Sequence, residues 1–144
     1  MEKIPDQLTW ALPEKPIFSI DTTNACNLFC KCCSRGQRYE KNTKDVMSYK
    51  LFTSIIEKIA DIGASALNLF VFTEPFLQQN LLKFASYAKS KSIANINLSS
   101  NLSFPEPKDF IKTLGYIDKL IVSVSGFSQK NLFYKPLWWK NRFC

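Results

Sequence analysis

The hydrophobic positions of this chain alternate between short apolar runs and stripes at helical spacing. Residues 16–21 (PIFSID) predict a strand, with the proline at its first position, where a missing N–H costs no ladder bond. Residues 34–47 are rich in charge, hold one glycine and predict a surface loop. Leu51, Phe52, Ile55, Ile56, Ile59 and Ile62 then recur on one helical face, with Glu57, Lys58 and Asp61 opposite. Ser48 suits the cap of that helix, because its hydroxyl can accept from an orphan N–H of the first turn. Gly63 falls just past the helix end, where positive φ is common. Residues 66–72 form a compact apolar run without clean alternation, as expected of a strand buried on both faces. Leu81, Phe84, Ala85 and Ala88 mark a second helix, with Lys89 and Lys91 near its C-terminus, where the helix dipole favours cations. Residues 93–99 predict a third strand. Pro107 suits the first turn of a third helix, with Phe110, Ile111 and Leu114 inward and Gly115 at its end. Residues 117–125 (IDKLIVSVS) predict a fourth, strongly β-branched strand.

Strands that alternate with helices imply right-handed crossovers and a parallel sheet, so the fold class is α/β with about four parallel strands and intervening helices. Such a chain makes a partial (β/α) barrel or an open sheet, because a complete barrel needs about 200 residues or more and this chain has 144. Three parts are expected: a polar lead-in over 1–15 with Pro5 and Pro13, a core over 16–129, and a basic, aromatic tail over 130–144.

Composition narrows the class. Apolar residues at 46% are enough for a core, and charged residues at 22% argue against a disordered or coiled-coil chain. No apolar run approaches the ~18 residues of a membrane span, and the N-terminus lacks the basic-then-apolar pattern of a signal peptide. The expected compartment is the cytoplasm, where thiols stay reduced and clustered cysteines bind metal or react rather than form disulfides. A net charge of +7 permits anionic partners without requiring them, since the lysines are spread along most of the chain as on solvated helix faces.

Candidate chemistry is concentrated in one stretch. Residues 22–35 (TTNACNLFCKCCSR) hold four of the five cysteines, and the chain has no histidine. Cys26, Cys30 and Cys33 are spaced C-x3-C-x2-C, with Cys32 inside that spacing. Thiolates are soft ligands that suit zinc and iron–sulfur clusters. A structural zinc site takes four N/S ligands, usually as two paired knuckles. Here there is one loop, and Cys144 completes a set only if the tail folds back. A dithiol redox pair uses Cys30 and Cys33 and leaves Cys26 unexplained. A ferredoxin-type site needs a fourth cysteine at its own spacing. Three thiolates on a four-iron cube leave one iron open, and an open position is what a metal needs to bind substrate.

The run CNLFCKCC, at the end of a first strand in a β/α chain, resembles the C-x3-C-x2-C loop of the radical SAM superfamily, and residues 20–25 (IDTTNA) ahead of it resemble many members. The resemblance implies that Cys26, Cys30 and Cys33 hold a 4Fe–4S cluster and that S-adenosylmethionine chelates the open iron. It implies an enzyme in which one electron cleaves the sulfonium to a 5′-deoxyadenosyl radical that abstracts hydrogen from a substrate. The residue before the third cysteine is usually aromatic or histidine in the family. Cys32 stands there and is expected to be a tolerated small side chain rather than a fourth ligand.

Residues 72–76 (FTEPF) resemble the family's G-G-E-P segment, which gives Glu74 the role of holding the methionine amino group, an ammonium that gains from a nearby anion. Thr73 stands where the family has glycine, and a side chain there is expected to narrow the room for the cofactor. Taken alone, Glu74 and Pro75 would simply open a helix. Ser99 and Asn101 at the end of the third strand, and Ser123 and Ser125 at the end of the fourth, match segments whose polar groups face the barrel mouth. Alternation puts Ser123 and Ser125 on one face and Val122 and Val124 on the other. Ser99, Ser123 and Ser125 join Glu74 as expected S-adenosylmethionine contacts.

The resemblance covers about 17–129, the first four of the usual six strand units. The family pattern stops there and a basic, aromatic end follows, so an interrupted gene is expected, with the remaining units in the adjacent frame. Lys130, Lys135, Lys140 and Arg142 among Phe133, Tyr134, Trp138 and Trp139 would suit a nucleic acid or membrane surface, which is not the preferred expectation. The expected partners are a peptide or small-molecule substrate and a flavodoxin- or ferredoxin-type electron donor. The competing readings are a catalytically silent iron–sulfur remnant and a zinc-stabilised binding module.

Overall fold

The computed structural model describes residues 15–28, 30, 33, 45–107 and 109–124. The described elements are β1 (Ile17–Ser19), α1 (Tyr49–Asp61), β2 (Ala66–Asn68), a one-turn 3-10 helix (Pro75–Leu77), α2 (Leu81–Ser90), β3 (Asn95–Ser100), α3 (Phe110–Leu114) and β4 (Lys119–Val122). The strands form one parallel sheet in the order β1-β2-β3-β4, with a helix in each of the last two crossovers and α1 in the first. This is the α/β arrangement of four parallel strands expected from the alternation of apolar runs and stripes.

Register sorts the residues onto two faces. Phe18 pairs with Leu67 and Leu67 with Ile96, so these three point to the helices. Leu67, Ile96 and Leu98 are fully buried there against Phe52, Ile56 and Ile59 of α1 and Phe84, Ala85 and Ala88 of α2. Phe52 and Phe84 stack with ring centroids 4.2 Å apart and planes 8° apart. The opposite face is polar. Ser19 pairs with Asn68 and Asn68 with Asn97. Their side chains form a row, with Asn68 Nδ2 donating to Ser19 Oγ at 3.0 Å and Asn97 Nδ2 to Asn68 Oδ1 at 2.9 Å.

Several predicted positions behave differently. Leu51 and Ile62 are 52% and 46% exposed rather than inward. At about 100° per residue both sit on the flank of the stripe centred on Phe52, Ile56 and Ile59. Ile111 is 68% exposed. The single turn and a half of α3 buries Thr113 and half-buries Phe110 and Leu114, which leaves Ile111 on the outer side. β2 ends at Asn68 rather than running to Phe72, and Val71 and Phe72 are exposed. Ala66 and Leu67 are buried on its two faces as expected, while Asn68, on the face of Ala66, is half-buried in the polar row. β3 starts two residues later than expected, and β4 spans only Lys119–Val122.

The expected ends of α1 are present, whereas Pro107 lies ahead of α3 rather than in its first turn. Ser48 Oγ accepts from Leu51 N at 3.2 Å, and Gly63 has φ +79° with nothing crowding its missing Cβ. At the far end of the sheet, Asp118 accepts from Lys89 Nζ at 2.7 Å and from Ile96 N at 2.7 Å, which ties the end of α2 to the start of β4. Lys89 holds the Asp118 carboxyl below its ordinary range. Among the described residues no helix is long and apolar enough to cross a membrane.

Candidate functional site

The site begins where β1 ends. Residues 22–24 are zipped to 45–47: Thr23 and Val46 form an antiparallel bridge, Met47 N donates to Thr22 O at 2.9 Å, and Asn24 N donates to Asp45 O at 3.0 Å. Gln78, buried, anchors the same base from the other side, with Nε2 donating to Thr22 O at 2.8 Å. The cysteine loop therefore leaves from a fixed base at the C-terminal edge of the sheet. Within it Cys33 N donates to Cys30 O at 3.0 Å.

The segment after β2 is held by an aspartate. Asp21 Oδ1 accepts from Val71 N at 2.8 Å and from Thr73 Oγ1 at 2.6 Å, and its Oδ2 accepts from Phe72 N at 3.1 Å. Thr73 thus spends its hydroxyl on Asp21, which is how the chain uses a side chain where glycine was expected. The next residue bonds back to the cysteine loop, with Glu74 N donating to Ala25 O at 3.0 Å.

Glu74 is 2% exposed. Its Oε1 accepts from Ser100 Oγ at 2.8 Å and from Phe76 N at 3.3 Å, and its Oε2 accepts from Asn101 N at 2.9 Å. It caps the 3-10 helix, and Pro75 occupies that helix's first turn. The structural role that the Glu-Pro pair predicts on its own is therefore present, together with a link to the end of β3. Burial raises the Glu74 carboxyl above the ordinary glutamate range, against the lowering effect of its three donors.

The strand ends converge with the loop. Cys26, Cys30, Cys33, Phe70–Glu74, Ser99–Asn101 and Ser123 line one recess at the C-terminal ends of the strands, where ligands gather in such folds. Ser99 and Ser123 face each other with hydroxyls 3.1 Å apart. The three spaced cysteines, Glu74, Ser99 and Ser123 are thus brought together in one cavity. Ser125, Cys32, Cys144 and the tail lie outside the described residues.

Among the described residues no three His, Cys, Asp or Glu side chains are arranged to hold a single metal ion. A mononuclear zinc site needs its sulfurs at about 2.3 Å from one point. Three thiols that line one recess are soft donors of the kind an iron–sulfur cluster takes, so the chemistry of the donor set fits such a group.

Other contributors carry weaker signals in the sequence. Ser100 is buried on the core face with Ile96 and Leu98, so a hydroxyl on an apolar stripe marks it. Asn27 donates through Nδ2 to Ser103 O and accepts from Asn101 Nδ2 at 3.0 Å, which latches the cysteine loop to the segment after β3. Asp21 was legible as a strand end and as part of the stretch ahead of the cysteines, with nothing local to mark it as a clamp.

Fold and site together define an α/β partial barrel with thiols, a buried carboxylate and hydroxyls at its mouth. No protein-family model matches the chain, and no curated protein does. Solved structures do. BtrN in complex with AdoMet and 2-DOIA superposes with a TM-score of 0.69 at 19% identity, over 83% of this chain and 50% of BtrN. An open conformation of BtrN gives 0.64 at 19% identity, over 80% and 53%. The chain shares its fold with BtrN and spans about half of BtrN's length.

Proposed function

We propose that this chain is a radical SAM domain protein in which Cys26, Cys30 and Cys33 hold a 4Fe–4S cluster and S-adenosylmethionine binds beside it. The observation that carries the reading is the convergence of the three cysteines with Glu74, Ser99 and Ser123 in one recess. The shared fold with a protein seen bound to AdoMet supports it. Cys26, Cys30 and Cys33 would hold the cluster, which with S-adenosylmethionine beside it would supply one-electron radical chemistry for hydrogen abstraction from a peptide or small-molecule substrate. The chain's own residues bind and orient. The Glu74 carboxylate keeps lone pairs beyond those given to Ser100, Phe76 and Asn101, enough to accept from the methionine ammonium. Ser99, Ser123 and Ser125 offer hydroxyls to the ribose or methionine carboxylate. A flavodoxin- or ferredoxin-type carrier delivers the electron.

The test is anaerobic reconstitution with iron and sulfide, followed by reduction and electron paramagnetic resonance with and without S-adenosylmethionine. The expected result is a cluster signal that the cofactor perturbs, with 5′-deoxyadenosine formed. Alanine at Cys26, Cys30 or Cys33 abolishes the signal, and alanine at Cys32 leaves it. A cluster indifferent to the cofactor would mark a silent iron–sulfur remnant, and stoichiometric zinc without iron would mark a zinc module. Either outcome overturns the reading.

A further inference from the structure

Asn101 stands between the two ligand sets that the proposed function invokes. Its backbone N–H donates to Glu74 Oε2 at 2.9 Å. Its side-chain oxygen accepts from Ser103 N at 2.7 Å. That bond fixes which way the amide faces, since a backbone N–H can be met only by the oxygen. The NH2 group is then turned to the cysteine loop, 3.0 Å from Asn27 Oδ1 and 4.0 Å from Cys26 Sγ. The amide nitrogen thus has two acceptors within reach.

We propose that Asn101 is a positioning residue whose side-chain amide donates an N–H···S hydrogen bond to Cys26 when that sulfur ligates the cluster, and thereby raises the cluster's reduction potential. The proposal rests on the cluster reading above. A separation of 4.0 Å is long for a neutral thiol, and a thiolate attracts the donor more strongly, because hydrogen bonds to charged acceptors are shorter and stronger. Reduction adds negative charge to the cluster. An N–H dipole aimed at one of its sulfurs favours the reduced state, as hydrogen bonds to cluster sulfurs do. The Asn27 contact holds the donor in place, since Asn27 is itself tied to Ser103 O and lies next to Cys26 in the chain. The same residue therefore touches the proposed cofactor carboxylate through its backbone and the proposed cluster ligand through its side chain.

The test is a redox titration of the reconstituted full chain, followed by electron paramagnetic resonance, for wild type, Asn101→Leu and Asn101→Asp. Asn101→Leu removes the donor. Asn101→Asp keeps an oxygen for Ser103 N and places a second negative charge near the sulfur. The midpoint is expected to move to more negative potential in the order wild type, Leu, Asp, with iron content unchanged. Midpoints that coincide in all three overturn the proposal and leave the cluster reading intact. A second measurement needs no variant: wild type labelled with 15N at the asparagine side-chain amide should show a nitrogen coupling to the reduced cluster in pulsed resonance. Its absence overturns the proposal even if the variants fail to fold. A wild type that assembles no cluster overturns the cluster reading, and this proposal with it.

Discussion

Glu74 illustrates how one residue carries two demands. Its carboxyl is buried and accepts from Ser100, Phe76 and Asn101, yet it lines the thiol recess. Burial raises its pKa, so the sign of the pH effects follows. The protonated form stabilises the fold relative to the unfolded chain fully below the ordinary glutamate pKa of about 4.3. That contribution is lost as pH rises through the raised value. In the metal-free chain, thermal unfolding of wild type should therefore lose ground to Glu74→Gln as pH increases across that window, and a pH-independent difference would contradict the assigned burial effect. Binding runs the other way, because an ammonium needs the carboxylate. Affinity for S-adenosylmethionine, measured by equilibrium dialysis on the cluster-loaded protein, should fall as pH drops through the raised pKa. Glu74→Gln should weaken binding by about 10- to 100-fold, the equivalent of a charge-assisted hydrogen bond of roughly 1.5–3 kcal/mol, and flatten the pH profile.

At the scale of elements, the Asp21 clamp decides the course of the chain after β2. An apolar run of strand length over 66–72 leaves the sheet after Asn68 because Asp21 takes the N–H groups of Val71 and Phe72 and the hydroxyl of Thr73. Asp21→Ala should lower stability by about 1–3 kcal/mol, since it strips the acceptor from three donors. Hydrogen exchange localises the effect: the Val71 and Phe72 amides should exchange faster than the amides of α2, and a uniform change across the chain would argue against a local clamp. Thr73→Gly removes one of the three bonds and frees the backbone, and should cost about 1 kcal/mol in denaturant unfolding. The polar row from Ser19 through Asn68 to Asn97 belongs to this scale as well. It places a polar side chain beside buried Ala66 on one face of β2, and it continues toward Ser99 and the recess along one side of β3.

Across the whole molecule, the helices on one face supply the rigidity that the recess on the strand ends requires. Phe52 and Phe84 are fully buried and stacked between α1 and α2. Phe84→Ala should destabilise by about 3–5 kcal/mol through lost burial and the cavity left behind. A denaturation midpoint unchanged from wild type would show that the two helices do not share a core. The recess lies at the opposite end of the strands from Asp118, which joins α2 to β4, so the ion pair secures the sheet without entering the site.

What the amino-acid sequence determined by itself was periodic or compact. The alternation of apolar runs and stripes carried the parallel α/β order, the Ser48 cap and the positive φ at Gly63, because each depends on residues a few positions apart. The C-x3-C-x2-C spacing and the Glu-Pro pair were legible for the same reason. Tertiary structure decided the rest. That Glu74 meets Ser100 and Asn101, that Asn27 latches onto Ser103, and that Asp21 captures Val71–Thr73 are meetings across 26, 76 and about 50 residues of chain. No local pattern encodes such pairings, since each arises only when parallel register brings successive strand ends to one edge of the sheet. Packing likewise settled which part of each helical stripe is covered, and left Leu51, Ile62 and Ile111 outward where spacing alone pointed them in.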